Sequence, residues 1–358
     1  MSQVVQFQAP RQVALVACDP QPMRSGAVRV RTWFSGISAG TELTAYRGTN
    51  PYLTGTWDPD LRLFRSGTPT FAYPVSGWGY SEVGEVVEVA DDVREQGAGP
   101  RPGQVVYGIW GHRSDAVVDA GAVVDRVLDP ARDPIEGVFA RVGAIALNAV
   151  LAADLRLGDR VAVFGQGVIG LLATRLAHLS GCEVLAVDVH ESRLRAARAM
   201  GATETLSAAT PGGAGAAIRA WTGGAGADAA IELSGSDRAL HEATRAVVLD
   251  GTVVASGFYQ GGAGNLRLGE EFHHNRVRIV ASQISSTPLA LGPRWNQRRL
   301  VSTVMGLVAA GRLDVGPLVT DIVPAHEVAA AFARLDANSP ETLQVVLRFE
   351  AGPEGRAR

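Results

Sequence analysis

Three glycines in the run VAVFGQGVIG have the spacing and setting of a phosphate-binding turn. Gly165, Gly167 and Gly170 form G-x-G-x-x-G directly after an apolar, strand-like segment and at the start of a helix-like one. The first glycine permits a tight turn, the second lets a pyrophosphate approach the backbone, and the third lets helix and strand pack closely. The N-terminus of the helix, with Val168 and Ile169, offers N–H groups and partial positive charge to phosphates. The motif predicts a dinucleotide site.

An acidic residue, Asp188, ends the next apolar segment, EVLAVD. An acid there accepts hydrogen bonds from the adenosine ribose and repels a 2′-phosphate, which favours NAD(H) over NADP(H). Arg193 lies nearby, either as a further cofactor contact or on a solvated helix face. Ligands bind at the carboxyl ends of parallel strands. The residues assigned there to the nicotinamide end are Ser234, Ser256, Gly257 and Phe258.

The elements that must position these residues change in type along the chain. Residues 1–130 contain short alternating segments separated by glycine and proline, which predicts a β-rich module. From Arg160, nearly continuous apolar strands alternate with helices, as in a parallel sheet covered on both faces. After Gly311 the β-rich pattern returns. The prediction is an α/β protein with domains 1–144 plus 314–358 and 145–313, and with a disordered end, GPEGRAR.

Composition excludes several classes of protein. Hydrophobic residues make up 46% of the 358 residues and charged ones 19%, as in a soluble globular protein. A net charge of −3 gives no basic field for nucleic acid, and no apolar run predicts a membrane span or a secretion signal. Two cysteines, Cys18 and Cys182, form no disulfide framework, so a cytoplasmic setting is expected. All 33 basic residues are arginines, which excludes mechanisms that need a catalytic lysine.

Several local runs, together with the order of the modules, resemble the medium-chain dehydrogenase/reductase superfamily of zinc-type alcohol dehydrogenases. SGISAGTELTAYRG is similar to the family's G-I-C-x-[ST]-D-x-x-x-x-x-G with one residue inserted. GYSEVGEVVEV is similar to its G-H-E-x-x-G-x-V-x-x-V, and RPGQVV to its K-P-G-D-x-V. The last third loosely resembles the subgroup that includes the bacteriochlorophyllide hydroxyethyl dehydrogenases.

This resemblance implies a GroES-like β-barrel domain that binds the substrate and a Rossmann domain that binds the dinucleotide. It implies an NAD(P)-dependent oxidoreductase with the substrate in a cleft between the domains. It also implies a homodimer, because family members commonly pair through an edge of the nucleotide-domain sheet. VRIVASQIS is the predicted edge strand.

The family's zinc ligands are missing from the matching positions. The cysteine position falls at Ser38, or at Ala39 depending on where the insertion lies. The histidine and its acidic neighbour fall at Tyr80 and Ser81, and a glutamate found in one branch falls at Arg141. The four cysteines of the structural-zinc lobe are absent as well. The sequence therefore predicts that neither zinc is bound, since arginine stays protonated and does not bind zinc.

A rebuilt zinc site is the remaining alternative. Its candidate ligands are His112, Glu42 or a histidine from the pair His273 and His274. Adjacent residues of a strand point to opposite faces, so the histidine pair is interpreted as a packing or interface feature.

Without zinc, the residues near these motifs are candidates for stabilising and protonating an oxyanion. Tyr80 either points its hydroxyl at the substrate oxygen or fills the space of a lost ligand. Thr41 relays a proton or stabilises a turn, and Glu42 acts as a base, binds a substrate hydroxyl or amine, or caps the backbone. Arg141 stabilises an alkoxide or pairs with Glu42. His112 supplies a proton near neutral pH or lies in a surface turn.

Aromatic residues and arginines are candidates for binding the substrate. Tyr46 and Trp57 are assigned to a long loop around 48–74, which is expected to line or cover the site. Trp110 falls where the family has an aromatic wall of the pocket. Arg294 and Trp295 either close the substrate end or begin a solvated helix.

Together these features predict a zinc-independent, NAD-dependent oxidoreductase that interconverts a secondary alcohol and a ketone. The charged and aromatic side chains favour a polar substrate such as a sugar, an aminocyclitol or another biosynthetic intermediate. Three alternatives remain: a zinc-free enoyl- or quinone-type C=C reductase, an NAD-dependent epimerase, and a non-catalytic dinucleotide-binding sensor.

Overall fold

The computed structural model describes residues 1–97 and 99–350. The predicted disordered segment GPEGRAR lies outside these residues. The described chain divides into two compact units, Met1–Arg141 with the described part of Asp314–Arg358, and Val142–Leu313. The sequence predicted the two boundaries at 144/145 and 313/314.

Most of the strands fall where alternating or continuous apolar segments predicted them. In chain order they are β1 Ser2–Ala9, β2 Gln12–Cys18, β3 Ala27–Gly36, β4 Gly55–Asp58, β5 Leu63–Ser66, β6 Val75–Ser76, β7 Glu82–Val89, β8 Val105–Gly108, β9 Asp115–Asp119, β10 Arg160–Phe164, β11 Glu183–Asp188, β12 Glu204–Ser207, β13 Ala227–Glu232, β14 Val247–Ala255, β15 Arg278–Ala281, β16 Val319–Pro324 and β17 Gln344–Arg348.

The helices connect these strands, and most of the longer ones lie in the second unit. They are α1 Glu42–Arg47, α2 Asp91–Gln96, α3 Ala120–Val123, α4 Phe139–Ala152, α5 Val168–Leu179, α6 Glu191–Ala199, α7 Ala214–Trp221, α8 Asp237–Ala246, α9 Gln297–Ala309 and α10 Val328–Asp336. Short 3-10 turns precede several of them, as at Pro134–Val138 before α4.

Mostly antiparallel sheets form the first unit, as expected for a GroES-like β-barrel. One sheet has the order β2-β1-β6, and a larger one has the order β16-β17-β3-β7-β8 with β9 also paired to β3. Within the larger sheet β16 and β17 pair in parallel, and β4 and β5 form a separate two-stranded sheet. Gly84 lies where β7 crosses β3, and a Cβ at Gly84 would lie 2.3 Å from the carbonyl oxygen of Arg31. The last glycine of the GYSEVG motif is therefore required for close packing of these two strands.

The hydrophobic core of the first unit joins its N-terminal strands to the returning tail. Phe7 on β1 and Phe332 on α10 are fully buried and meet edge to face, with ring centroids 5.1 Å apart. Tyr46 on α1 stacks on Phe332 with ring centroids 5.6 Å apart. Residues more than 280 positions apart thus share one core, because the tail returns to the first unit.

A parallel sheet with the order β12-β11-β10-β13-β14-β15 forms the second unit. Its central strands are apolar along their length because helices cover a parallel sheet on both faces. This arrangement confirms the predicted Rossmann architecture. β15 takes the predicted edge position, and the homodimer stays a prediction.

Two sequence interpretations were wrong. Residues 48–74 are not one irregular loop, because they contain a 3-10 turn, Pro51–Leu53, and the antiparallel hairpin β4–β5. His273 and His274 are exposed on a helical turn that follows Leu268–Phe272. β15 begins only at Arg278, beyond a left-handed residue at 276, so strand geometry does not apply to the histidine pair.

One helical run, Pro134–Ala152, is long and apolar enough to cross a membrane by composition alone. Within its most apolar window 72% is buried inside the protein. It has the burial of a core helix in a soluble protein, as its sequence of small and aliphatic residues predicts.

Candidate active site

The glycine-rich turn connects β10 to α5 in the second unit. Gly165 has a φ of 85°, a left-handed conformation that favours glycine. A Cβ on Gly170 would lie 1.8 Å from the carbonyl oxygen of Gly165, so this position accepts only glycine. A Cβ on Gly167 would meet nothing within 4 Å, and Val168 and Ile169 begin α5 beside this space. The open space at a helix N-terminus fits the pyrophosphate of a dinucleotide.

Asp188 ends β11 and is buried, with both carboxylate oxygens held by backbone N–H groups. Its Oδ2 accepts from the Gln166 N–H at 2.6 Å, and its Oδ1 accepts from the His190 N–H at 2.9 Å. Each oxygen keeps a further lone pair for a ribose hydroxyl. Arg193 is half-buried at the start of α6, next to this turn. Asp188 thus fixes the phosphate turn and presents a carboxylate beside it.

Glu232, which the sequence analysis missed, ends the neighbouring strand β13 and is fully buried. Its Oε1 accepts from the Ser234 N–H at 2.7 Å and from the Ser234 hydroxyl. Its Oε2 accepts from the Tyr259 hydroxyl at 2.5 Å and from the Gly235 N–H at 3.2 Å. Burial raises the pKa of Glu232, and the hydrogen bonds from Ser234 and Tyr259 partly offset this effect. The available signal was a single acid at the end of an apolar strand, AAIE.

The backbone of Glu232 holds the second loop of the predicted nicotinamide end. Its carbonyl accepts from the N–H groups of Ser256 and Gly257, each at 2.9 Å. The Ser256 hydroxyl accepts from the Ser282 hydroxyl at 2.8 Å, and Phe258 is 42% exposed. Glu232 therefore joins the loops after β13 and β14, which carry the predicted cofactor residues.

Replacing Glu232 with glutamine is expected to weaken NADH binding about tenfold. The amide nitrogen would face N–H and O–H donors in place of one acceptor oxygen, which costs about 1–2 kcal/mol. Titrating NADH by its fluorescence measures the change. Glu204→Gln, at an exposed position on β12, is the matched control. Equal affinities for the two variants would contradict the role assigned to Glu232.

In the first unit, the hydroxyls of Ser38, after β3, and Tyr80, before β7, are hydrogen-bonded to each other. The Thr41 side chain is near enough to the Tyr80 phenol to affect its pKa. Burial raises the pKa of Tyr80, the Glu42 carboxylate raises it further, and Ser38, Thr41 and the Arg141 cation act in the opposite direction. The phenol is therefore a neutral hydrogen-bond donor at ordinary pH.

Glu42, at the start of α1, and His112, beyond β8, are buried together. His112 Nε2 lies 2.7 Å from Glu42 Oε2. Glu42 Oε1 is buried and has no hydrogen-bond partner among residues 1–97 and 99–350. His112 was predicted either to supply a proton or to lie in a surface turn, and the surface turn is wrong. Glu42 takes His112 as its hydrogen-bonded partner, where the sequence analysis had offered Arg141.

On the other side of the imidazole, His112 Nδ1 lies 2.5 Å from the Ser35 hydroxyl oxygen and 4.0 Å from Glu82 Oε1. Ser35 donates to Glu82 Oε1 at 3.1 Å, and the Trp110 N–H donates to Glu82 Oε2 at 2.8 Å. Burial alone lowers the pKa of His112, but the carboxylates of Glu42 and Glu82 outweigh it and raise the pKa. We call Glu42, His112, Ser35 and Glu82 the buried chain.

Other predicted site residues lie elsewhere. Trp110 is in the barrel core, where its Nε1 donates to the Thr32 hydroxyl at 3.0 Å. Tyr46 stacks on Phe332 in the core. The core positions of Trp110 and Tyr46 argue against contact with a substrate. Trp57 is 40% exposed on the β4–β5 hairpin.

Arg141 and the pair Arg294 and Trp295 have different surroundings. Arg141 is half-buried in the first turn of α4; burial lowers its pKa, and the electrostatic interaction with Tyr80 acts in the opposite direction. Arg294 is exposed, and Trp295 lies under the Arg299 guanidinium at 4.4 Å. Asn296 caps α9 immediately afterwards. Of the two predicted alternatives, Arg294 and Trp295 therefore fit the start of a solvated helix.

Comparison with known proteins decides the family. The chain is 30% identical to the D-guloside 3-dehydrogenase of Escherichia coli K12 over 328 residues, which cover 88% of this chain and 90% of that one. The chain belongs to the medium-chain dehydrogenase/reductase superfamily. A family model described as zinc-binding dehydrogenase matches residues 168–293 of this medium-chain dehydrogenase/reductase. It is an NAD(P)-dependent oxidoreductase, as the resemblance implied.

Two further comparisons cover nearly the whole chain. It is 26% identical to the 2-desacetyl-2-hydroxyethyl bacteriochlorophyllide A dehydrogenase of Cereibacter sphaeroides, with 96% of each chain covered. The fold matches the crystal structure of a putative zinc-binding dehydrogenase from Sinorhizobium meliloti 1021 bound to NADP, with a TM-score of 0.75 and 20% identity over 97% of this chain and 99% of that one. This match shows the fold.

Proposed function

We propose that the protein is a zinc-independent, NAD(H)-dependent dehydrogenase that interconverts a secondary alcohol and a ketone on a polar, sugar-like molecule. The observation that carries this proposal is the Ser38–Tyr80 hydroxyl pair beside the buried Glu42 carboxylate, one oxygen of which has no hydrogen-bond partner in the described part of the chain. Buried polar groups without a partner are rare and need an explanation. A substrate hydroxyl would supply the missing hydrogen bond.

The donor groups do not fit zinc. Zinc in proteins takes thiolate, imidazole or carboxylate ligands. Ser38 and Tyr80, at two of the family's ligand positions, offer neutral hydroxyls that bond each other. Glu42 Oε2 and His112 Nε2 are directed at one another at 2.7 Å. The zinc-binding family model matches 168–293 only, within the second unit, so it does not cover the zinc-ligand positions of the first unit.

Tyr80 is assigned the stabilisation of negative charge on the substrate oxygen. Its raised pKa keeps the phenol protonated, so it donates a hydrogen bond in both directions of the reaction. Ser38 fixes the phenol by the hydrogen bond between the two hydroxyls. This arrangement supplies electrostatic stabilisation that zinc supplies in other members of the superfamily.

Glu42 is assigned the transfer of the substrate hydroxyl proton. In alcohol oxidation, Oε1 accepts the hydroxyl proton as the C–H bond loses its hydride, and in ketone reduction it returns that proton. Because His112 bonds Oε2, the free oxygen is the one available for the substrate. A carboxylate that acts as a general base contributes typically 10²–10⁴-fold to a rate.

The dinucleotide, when bound, accepts or donates the hydride. Gly165, Gly167 and Gly170 fit its pyrophosphate, and Asp188 supports NAD(H) over NADP(H) because a carboxylate repels a 2′-phosphate. Because the Sinorhizobium meliloti structure is bound to NADP, the preference for NAD(H) is to be tested by measuring the binding of both cofactors. The relationship to a D-guloside 3-dehydrogenase supports a hexose-like substrate.

Replacing Tyr80 with phenylalanine is expected to lower kcat about 100-fold, the usual effect of losing one donor to a developing oxyanion. The measurement is NADH formation or consumption with a panel of hexopyranosides, polyols and their ketones. The metal content of the same preparation is measured by mass spectrometry before and after dialysis against a chelator. Activity should survive dialysis without zinc.

The control is Tyr107→Phe, which removes another buried tyrosine hydroxyl from the same unit. It should change kcat less than about twofold, in keeping with a substitution away from the site. Stoichiometric zinc whose removal abolishes activity would overturn the zinc-independent reaction. Equal kcat for both variants would overturn the role of Tyr80.

A further inference from the structure

Ser35 and Glu82 lie behind His112, away from Glu42, and no family motif assigns them a role. Both are fully buried, and they face each other as partners on the neighbouring strands β3 and β7. Ser35 Oγ lies between two groups that exchange protons, 2.5 Å from His112 Nδ1 and 3.1 Å from Glu82 Oε1. The buried chain is therefore continuous from Glu82 to Glu42.

Two proton arrangements satisfy the same positions of the heavy atoms. In the first, His112 carries protons on both nitrogens; Nδ1–H donates to Ser35, which donates to an ionised Glu82. In the second, Glu82 carries a proton and donates to Ser35, which donates to Nδ1 of a neutral imidazole. Moving the Nδ1 proton to Ser35 and the Ser35 proton to Glu82 converts one into the other. No proton is gained or lost.

We propose that Ser35 and Glu82 are positioning residues that share one proton with His112 and so set the charge of the imidazole that holds Glu42. The inference rests on the proposed function only for its catalytic consequence. When His112 is an imidazolium, its positive charge balances the negative charge of the Glu42 carboxylate. When Glu42 takes the substrate proton, this negative charge is lost. The Nδ1 proton of His112 then moves to Ser35, and the Ser35 proton moves to Glu82.

The surroundings confine the shared proton. Glu82 Oε2 accepts from the Trp110 N–H, so the chain ends there. Gly79 presses against the chain, since a Cβ on Gly79 would lie 2.7 Å from Glu82 Oε1 and 2.9 Å from His112 Nδ1. The motif glycine before Tyr80 therefore leaves room for this contact.

The charged neighbours favour the imidazolium form at rest. Glu42 on α1 and Glu82 on β7 are the ionisable groups whose charges act on His112, and both raise its pKa. Burial raises the pKa of Glu82, and the imidazolium and the Trp110 N–H act against this. Both groups thus bind a proton more readily than in water, as two sites that share one proton should.

The test is the titration of His112 in the full-length protein, followed by the 15N chemical shifts of its ring nitrogens. His112→Asn identifies the signal by its loss. Glu82→Gln keeps the size of the side chain but removes its charge and its ability to take the proton. It is expected to lower the titration midpoint by about one pH unit, the effect of losing an opposite charge at this distance. Glu88→Gln, exposed on the same strand, should leave the midpoint unchanged.

A midpoint in Glu82→Gln equal to that of the wild type would overturn the inference, because packing alone does not change the charge of an imidazole. Ser35→Ala provides a second reading if Glu82→Gln folds poorly. It interrupts the chain, so the 15N shift of His112 Nδ1 should no longer change when Glu82 gains or loses a proton. Failure of these titrations in a protein that oxidises alcohols would leave the proposed function standing. Coupled titration in a protein that turns over no alcohol would leave the inference standing alone.

Discussion

Replacing Glu42 with glutamine is expected to lower kcat about a thousandfold while NADH binding stays unchanged. The amide cannot accept the substrate proton, and general bases contribute about 10²–10⁴-fold. Steady-state kinetics on the best substrate of the panel measures kcat, and fluorescence titration measures NADH affinity. Glu42 and the glycine-rich turn belong to different compact units, so the two readouts separate proton transfer from cofactor binding.

The control for this variant is Glu88→Gln, which removes an exposed carboxylate of the same unit. Its kcat should match the wild type within about twofold, since surface ion pairs contribute little. A Glu42→Gln enzyme with wild-type kcat would show that another group takes the proton, and Thr41 would become the first candidate.

The same substitution has a separate effect on stability. Because the carboxylates raise the pKa of His112 in the folded protein, the pair contributes fully below the unfolded histidine value of about 6.5. This contribution is lost as the pH rises through the raised folded value. Urea unfolding of the wild type should show the free energy falling over that window. The fall should be smaller in Glu42→Gln, and an identical pH dependence would contradict the ion pair.

Replacing Gly170 with alanine is expected to abolish dinucleotide binding and to destabilise the protein by about 3 kcal/mol or more. The new Cβ would lie 1.8 Å from the Gly165 carbonyl oxygen, so the phosphate turn or α5 must move. Overpacking in a rigid site costs about 1–3 kcal/mol and sometimes more, and here the obstacle is backbone. Thermal unfolding and NADH titration measure the two effects.

Gly306→Ala is the matched control for this substitution. Gly306 lies in α9 of the same unit, is exposed, and has nothing within 4 Å of an added Cβ. Alanine there should raise stability by about 0.5–1 kcal/mol, because it restricts the unfolded chain and favours the helix. A Gly170→Ala protein that binds NADH as tightly as Gly306→Ala would show that the turn relaxes without loss of function.

The fold and the cofactor site were largely predictable from local patterns. Most strands of both units follow alternating or continuous apolar segments, and the glycine motif fixes the turn between β10 and α5. These features depend on residues close in sequence, where backbone sterics and burial act directly. The 48–74 segment failed this test because the short strands β4 and β5 are mostly exposed and carry no burial pattern.

The buried chain was not predictable in the same way. His112 lies 70 residues from Glu42, and Ser35 lies 47 residues from Glu82. The meeting of Ser35 and Glu82 depends on the register between β3 and β7, which shifts at irregularities near Arg29 and again near Thr32. One shifted residue turns a side chain to the other face of a sheet. A single sequence gives no signal of such irregularities, so the sequence predicted Arg141 as a possible partner of Glu42 and did not predict His112.

The return of the chain to the first unit sets an order of events during synthesis on the ribosome. β17 lies between β16 and β3, and it pairs with β3 through Val346 and Gly36. The whole of Val142–Leu313 therefore leaves the ribosome before the barrel has its last strands. The nucleotide-binding unit has all of its residues before β17 is made, and until then residues 34–36 at the end of β3 lack the partner strand that β17 provides. A nascent chain released before residue 344 can complete only the inserted unit.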